Sequence, residues 1–269
     1  MSDTATQTRM EHAPGSFCWI ELATTDGEAA KKFYGGLFGW EAQDNPMGPD
    51  SVYTMLKLNG KDVGALYKKG EEMKQVPTHW ASYVCVTSAD EIAAKAKSLG
   101  GNVMMEPFDV MEHGRMAVIA DPTGAVFSIW QPKQHTGVGV KGETNSLCWN
   151  ELLTNDPAKA GEFYTKLFGW KSKTDTGATP YTEFINGEDH IGGMMQIQPQ
   201  MGPMPPNWGI YIAVDDCDAT VEKATSLGAR TYVPPTDIAN VGRFAVLSDP
   251  QGGVFNVIKL DLRHHENKQ

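Results

Sequence analysis

Apolar positions along the chain follow two periods in turn, and the same succession of periods is played through four times. Phe17 to Leu22 reads as a strand. Behind it Asp26 is a fitting N-cap, and Ala29, Ala30, Phe33, Tyr34 and Leu37 recur at helical spacing until Gly39 ends the helix. Short strands follow near Trp40–Gln43, Val52–Leu58 and Val63–Tyr67, the last two joined by Asn59-Gly60, a strong hairpin signal. The order then returns. Trp80–Val86 predicts a strand, Ala89 to about Leu99 a helix stopped by Gly100, and Val103–Met105, Arg115–Ile119 and Val126–Trp130 three more strands, with the hairpin turn at Asp121-Pro122-Thr123-Gly124.

The second half of the chain repeats the first. Residues 16–40 and 146–170 match at 14 of 25 positions, and the segments SLG, HGRMAV and DPTGAVF of the first half are answered by SLG, VGRFAV and DPQGGVF, displaced by 128. Four βαβββ units result, over about 16–67, 79–131, 146–196 and 207–259, which predicts an α+β fold of two tandem domains. The expected divisions are a disordered tail over 1–15, domains over 16–131 and 146–260, a glycine-rich polar linker over 132–145 and a short tail over 261–269. A length of 269 residues suits two domains, and each is expected to bury a core of its own.

Charge and cysteine usage narrow the partners. A net charge of -10 disfavours nucleic acid and anionic membrane surfaces, which need basic patches. No apolar run approaches the roughly 18 residues of a membrane span, and the first fifteen residues lack the apolar core of a signal peptide. Cys18, Cys85, Cys148 and Cys217 form no CxxC pair and read as free thiols, which fits a cytoplasmic protein. A monomer or a homodimer is compatible with all of this.

The paired βαβββ units, the FYxxLFGW helix end and the late DPxG hairpin resemble the vicinal oxygen chelate superfamily, which includes glyoxalase I, bleomycin-resistance proteins, extradiol dioxygenases and fosfomycin-resistance enzymes. The likeness runs from Ser16 to Leu260 and is to the two-domain glyoxalase/bleomycin-resistance-like subgroup. It implies a glyoxalase/bleomycin resistance/dihydroxybiphenyl dioxygenase-like fold: two cupped sheets, helices on the convex face and the ligand site in the cup. In metal-dependent members His, Glu or Gln stand at set places on the cup-facing strands. Carried onto this chain, those places hold Trp19 and Trp149, Ala81 and Gly209, Ser128 and Asn256, and a residue near Leu66–Tyr67 and Met194–Met195. None is His, Glu or Asp, whereas a divalent metal needs three or four such ligands converging on one point. No metal or other cofactor is therefore expected, with a divalent metal as the alternative.

Alternation from Trp19 along the first strand places Phe17 and Glu21 on the cup side and Cys18, Ile20 and Leu22 toward the helices. By the same rule Ala81, Tyr83, Ser128 and Trp130 line the first cup, and Trp149, Glu151, Gly209, Tyr211, Asn256 and Ile258 the second. One carboxylate among indole and phenol rings suits a planar or cationic organic ligand. Burial would raise its pKa, which makes Glu21 and Glu151 candidate general bases. The competing role is a structural carboxylate bonded to a backbone amide or to Arg115 and Arg243, which otherwise read as rim salt bridges. Three functions stay open: a metal-free protein binding a small organic ligand; a glyoxalase-like lyase or isomerase, or a dioxygenase-type enzyme, using a divalent metal or Glu21 as base; and a protein with filled cups that acts through its surface. His79, His113, His190, His264 and His265 lack metal-ligand spacing and read as solvated. The proline-rich stretches 199–207 and 44–50 read as lids over the cups or as ordinary loops.

Overall fold

The structure, a computed structural model, describes residues 10–49, 51–177 and 179–261. The first half contains β1 (Phe17–Thr24), α1 (Gly27–Phe38), β2 (Glu41–Gly48), β3 (Ser51–Leu58), β4 (Lys61–Lys68), β5 (His79–Cys85), α2 (Ala89–Ser98), β6 (Asn102–Val110), β7 (Gly114–Ala120) and β8 (Val126–Pro132). The second contains β9 (Leu147–Thr154), α3 (Pro157–Phe168), β10 (Lys171–Thr174), β11 (Tyr181–Asn186), β12 (Asp189–Gln196), β13 (Asn207–Ala213), α4 (Cys217–Ser226), β14 (Arg230–Ile238), β15 (Gly242–Ser248) and β16 (Val254–Leu260). Each half closes one 8-stranded sheet, in the orders β2-β3-β4-β1-β5-β8-β7-β6 and β10-β11-β12-β9-β13-β16-β15-β14. The four βαβββ units are therefore real, and the two units of each half join edge to edge through antiparallel β1–β5 and β9–β13. No helix of the described residues is long and apolar enough to cross a membrane.

Local chemistry sets the element ends. Asp26 and Asp156 cap α1 and α3 by accepting from the amides of Ala29 and Lys159, and Gly39 and Gly169 end those helices at φ 73° and 76°, a region open to glycine at no steric cost. Asn59 and Gly60 turn the β3–β4 hairpin at φ 51° and 77°, as the sequence implied. The edge strands depart from expectation. β2 runs on to Gly48 and β6 spans Asn102–Val110, both past the short runs that alternation marked. Polar edge positions and the register shifts in β6 hide the period there. Residues 44–48, read as part of a lid or an ordinary loop, are thus an edge strand, in which Asp44 accepts from Lys31 and Thr54.

A β-bulge between Phe17 and Trp19 overturns one face assignment. The extra residue shifts the alternation by one. Phe17 therefore points into the core against Trp208, at 4.9 Å between ring centroids, while Cys18 joins Trp19, Tyr83 and Trp130 on the cup side.

The expectation of one core per half also fails. Each of the two main cores draws on both halves. Ile20, Leu22, Phe33 and Tyr34 pack with Ile210, Ile212, Phe255 and Val257, and Phe17, Val84, Phe127 and Ile129 pack with Leu152, Phe163, Tyr164 and Trp208. The repeated helix end of one half seats on the DPxG turn of the other. Trp80 Nε1 donates to the Tyr34 hydroxyl at 2.9 Å, and that hydroxyl donates to Asp249 of the second half at 2.9 Å. Reciprocally, Trp208 Nε1 donates to the Tyr164 hydroxyl at 2.8 Å, which faces the carboxylate of Asp121 in the first half. Asp249 also accepts from the amides of Gln251 and Gly253, so one side chain closes its own turn and fastens the other half.

The segment read as a linker takes part in this packing. Val138 and Val140 are buried, Val138 N donates to Cys18 O at 2.8 Å, and Trp40 Nε1 donates to Asn145 O at 2.8 Å. Residues 10–15, assigned to the N-terminal tail, are pinned as well: Gly15 N donates to Cys85 O at 2.8 Å and Trp170 Nε1 to Gly15 O at 2.9 Å. The rest of that tail, and residues 262–269 with His264 and His265, lie outside the described residues. The four cysteines are free.

A chain carrying a protease site at the exposed residues Gly142–Thr144 should, once cut, still elute as one particle under native conditions, because neither half retains a complete core; separate elution of the halves would contradict the shared cores. Tyr34→Phe should lower the unfolding free energy by roughly 1–3 kcal/mol in urea titration, since it strips the buried Asp249 carboxylate of a donor.

Candidate functional site

The cup faces follow from strand register. In the first sheet Trp19 and Glu21 on β1 stand opposite Tyr83 and Ala81 on β5, Tyr83 pairs with Ser128 on β8, and Glu21 pairs with Ala65 on β4. In the second, Trp149 and Glu151 oppose Tyr211 and Gly209, and Tyr211 pairs with Asn256. The residues that alternation assigned to the cups are therefore brought together, apart from Phe17. Trp130 joins them through β8, and Ile258, at the matching place on β16, is buried.

Each cup is organised by one carboxylate. Glu21 accepts from the Tyr53 hydroxyl at 2.6 Å and the Tyr83 hydroxyl at 3.0 Å, and Trp19 Nε1 donates to the Tyr53 oxygen at 3.3 Å. Glu151 repeats this with Tyr181 at 3.0 Å, Tyr211 at 2.9 Å and Trp149 Nε1 donating to Tyr181 at 2.9 Å. Neither arginine takes part: Arg115 pairs with Asp90 and Asp109, and Arg243 with Asp218 and Asp237, on the rim. The backbone amide and arginine partners considered for the two glutamates are replaced by phenols. Tyr53 and Tyr181 are the residues that alternation missed. They stand at the same place in the two halves, in VYTM and PYTE, and that recurrence was the signal available.

Burial raises the pKa of Glu21 and Glu151 above the ordinary carboxylate value of 4.5, and the two tyrosine bonds pull it back in part. The same burial, with the glutamate charge beside them, pushes Tyr53, Tyr83 and Tyr211 far up, so the phenols stay protonated donors. Glu21 and Glu151 nonetheless remain half-buried, though they sit on central strands, so the accessible part of each faces the cup. A carboxylate has about four acceptor positions, and only two are used by tyrosines. The Cys148 thiol beside the second cup, pushed up to about 12 by burial, is no nucleophile at neutral pH.

The surroundings differ between the cups. Around the first lie Met55, Met116 and Val110, half-buried, with Met105 and Phe108 exposed on β6. His135, unnoticed in the sequence, stands edge-on to Trp19 at 4.5 Å between ring centroids and takes the Trp130 indole N–H on its carbonyl at 2.8 Å. In the second cup Phe244 lies 6.4 Å from Tyr211, and Gly193 leaves room for Tyr181, whose hydroxyl a Cβ there would strike. His190, read as solvated, is on β12 and bonds Glu183 at 2.6 Å. His79 bonds Pro77 O at the start of β5, and His113 lies in the β6–β7 turn.

The donor set does not suit a divalent metal at the places where the fold would hold one. Trp19, Ala81, Ser128 and Tyr67, and in the second half Trp149, Gly209, Asn256 and Met195, offer no imidazole and no carboxylate, and Glu21 and Glu151 are each bonded to two protonated phenols. Among the described residues no three His, Cys, Asp or Glu side chains gather as a metal-binding group.

Comparison with known proteins agrees with this architecture. The chain is 43% identical over 255 residues to "Putative glyoxylase CFP32" of Mycobacterium tuberculosis, covering 93% of this chain and 97% of that protein. It is 35% identical over 262 residues to "Anthracycline biosynthesis protein DnrV" of Streptomyces peucetius, covering 92% and 94%. In fold it is similar to the Mn(II)-bound glyoxalase from Novosphingobium aromaticivorans, with TM-score 0.65 and 18% identity over 92% of this chain and 83% of that one. It is likewise similar to the halotolerant catechol dioxygenase BphC, with TM-score 0.62 and 14% identity over 93% and 88%. The sequence profile of one family matches residues 16–129 and again 146–257, and by that double match the chain belongs to the Glyoxalase/Bleomycin resistance protein/Dioxygenase superfamily.

Proposed function

We propose that the two cups bind a flat organic molecule that carries a hydrogen-bond donor, with Glu21 and Glu151 accepting that donor and Trp19, Tyr83, Trp130, Trp149 and Tyr211 supplying the aromatic walls. Ala81 and Gly209 are the small residues of the floor, the Asn256 side chain packing over Gly209, and Ser128 and Asn256 are the polar groups beside them. The observation that carries the reading is the duplicated carboxylate: both halves keep a desolvated, partly accessible glutamate with acceptor positions to spare. Desolvating a carboxylate costs several kcal/mol unless it is well paired, and a closed apolar core would be served better by a hydrophobic residue. The names of two relatives, anthracycline biosynthesis proteins, fit a fused aromatic ligand. The donor set at the cup floor supports binding without a metal.

A second reading has its own support. A carboxylate with a raised pKa is suited to take a proton from a bound substrate, which would make Glu21 or Glu151 the base of a lyase or isomerase of the kind the glyoxylase name suggests. A substrate deuterated at the labile carbon separates the two. Exchange with solvent catalysed by the protein, and lost in Glu21→Gln together with Glu151→Gln, favours the enzyme; tight binding without exchange favours the binding protein.

Glu21→Gln with Glu151→Gln should weaken binding of a flat hydroxylated aromatic by ~1.5–3 kcal/mol while the protein still melts cooperatively, since Gln keeps the shape and loses the charge. Titration by tryptophan fluorescence, beside a thermal melt, reads both quantities. Unchanged affinity with a lowered melting temperature would assign the glutamates to structure alone.

The raised pKa also makes a stability prediction. Folded and unfolded glutamates are both protonated well below pH 4.5, so no penalty exists there; above the folded pKa both are ionised and the full desolvation penalty is present. The unfolding free energy of the wild type should therefore fall relative to that of the double Gln variant as pH rises from about 4 to about 8 in urea titrations. A difference independent of pH would show that the glutamates titrate alike in the folded and unfolded chain.

A further inference from the structure

Cys18 and Cys85 lie side by side in the buried cluster beside the first cup, with Trp19, Tyr83, Trp130 and Val138 around them. The bulge of β1 brings them together. It turns the Cys18 side chain to the face that Cys85 occupies on the neighbouring strand, and the two thiols are within hydrogen-bonding reach of each other. Cys85 N donates to Ser16 O and Gly15 N to Cys85 O, each at 2.8 Å, so β1 is fixed against Cys85 on the N-terminal side of the bulge. The Cys18 thiol donates to Tyr83 O at 3.6 Å and the Cys85 thiol to His12 O at 3.4 Å, and neither bonds to Glu21. The second half provides a natural contrast. Cys148 sits in the same bulge, between Leu147 and Trp149, and its thiol donates to Tyr211 O at 3.4 Å, but the place of Cys85 is taken by Ala213.

We infer that Cys18 and Cys85 are a reversible oxidation site, at which hydrogen peroxide or another small hydroperoxide joins them in a disulfide that ties β1 to β5 next to Trp19 and Tyr83. The site does not depend on what the cup binds. The two thiols are unequal, as such a step requires. Cys85 is the attacking group: the hydrogen bond from Cys18 draws its thiol below the ordinary value, while burial holds the Cys18 thiol well above it. The Cys85 thiolate takes one oxygen of the peroxide, the O–O bond breaks, and the departing hydroxide combines with the proton lost by the thiol to give water; a sulfenic acid remains on Cys85. Cys18 then attacks that sulfur as its proton passes to the leaving hydroxyl, and a second water departs. Two thiols and one peroxide thus become one disulfide and two waters. The ammonium of Lys141, which donates to Phe17 O at 3.3 Å, favours the charge that develops on Cys18 in the second step. Cys18 is fully buried and Cys85 is 3% exposed, so the oxidant must be small and the cover must open. That cover is the short segment 10–15, in which Met10, Glu11, Ala13 and Pro14 are exposed, and local opening of such a segment costs far less than unfolding.

The test is a thiol count and a disulfide map of the folded wild type after exposure to hydrogen peroxide, with denaturation only once the peroxide has been removed. Two of the four thiols should be lost, the map should join the segments that hold Cys18 and Cys85, and dithiothreitol should restore all four. In Cys85→Ser the remaining thiols should survive the same exposure. In Cys18→Ser the sulfenic acid on Cys85 has no partner and should be trapped by dimedone. Cys148 should stay reduced throughout. Four thiols surviving in the wild type under conditions that fully oxidise free cysteine overturn the inference. So does a disulfide that includes Cys148 or Cys217, or an equal loss of thiols in Cys85→Ser. Failure of dimedone to label Cys18→Ser overturns the assignment of Cys85 as the attacking thiol. A thermal melt of each variant shows that it is folded when oxidised, and the wild-type map is decisive whether or not a variant folds.

Discussion

The reciprocal fastening of the two halves is the constraint on which everything else rests. A tryptophan at the start of an inner strand, a tyrosine in the first helix of the same half and an aspartate in the late turn of the other half form a buried chain, Trp80–Tyr34–Asp249, answered by Trp208 and Tyr164 facing Asp121. Burial raises the pKa of Asp249 in spite of its four hydrogen-bonding neighbours, which measures how far from water it sits. Polar groups so placed are costly unless each meets its partner, so the chain specifies one relative placement of the halves, with apolar packing of Phe33 on Phe255 and Phe127 on Tyr164 supplying the bulk of the contact.

That placement puts the helices and both main cores on the side shared between the halves, while the opposite face of the first sheet carries a smaller buried cluster that includes Trp19, Tyr83 and Trp130. There the duplicated Trp–Tyr–Glu–Tyr group appears, with Glu21 and Glu151 both half-buried and each bonded to two tyrosines. The duplication has kept this group in both halves while its surroundings diverged: Met55 against Glu183, Trp130 against Ile258, Ser128 against Asn256. The fold itself is shared with metal-bound relatives at under a fifth identity, so it does not decide the chemistry; the residues at the cup floor do.

Much of this was legible along the chain. The FYxxLFGW and DPxG segments, repeated at nearly constant spacing, defined four βαβββ units, and period-2 alternation placed Trp19, Glu21, Tyr83, Ser128 and their counterparts on one face, because a central strand alternates its side chains without exception when no residue is inserted. Alternation failed where a residue was inserted, at Cys18, and where an edge strand had no buried face to advertise, in β2 and β6. Tyr53 and Tyr181 were passed over because a tyrosine in a hairpin reads as ordinary strand surface until its hydroxyl is seen to reach a glutamate on another strand.

The amino-acid sequence by itself determined the local order of strands and helices, the tandem repeat, and the absence of metal-ligand side chains from the family's usual places, since all of these depend on near neighbours and on spacing. Only the tertiary structure decided that the cores are shared between halves, that His135 stands edge-on to Trp19, and that Glu21 and Glu151 are held by tyrosines and not by arginines. Each of those outcomes joins residues far apart in the chain, Tyr34 to Asp249 and Glu151 to Tyr211 among them, and a one-dimensional pattern carries no record of which distant polar group a buried one will meet.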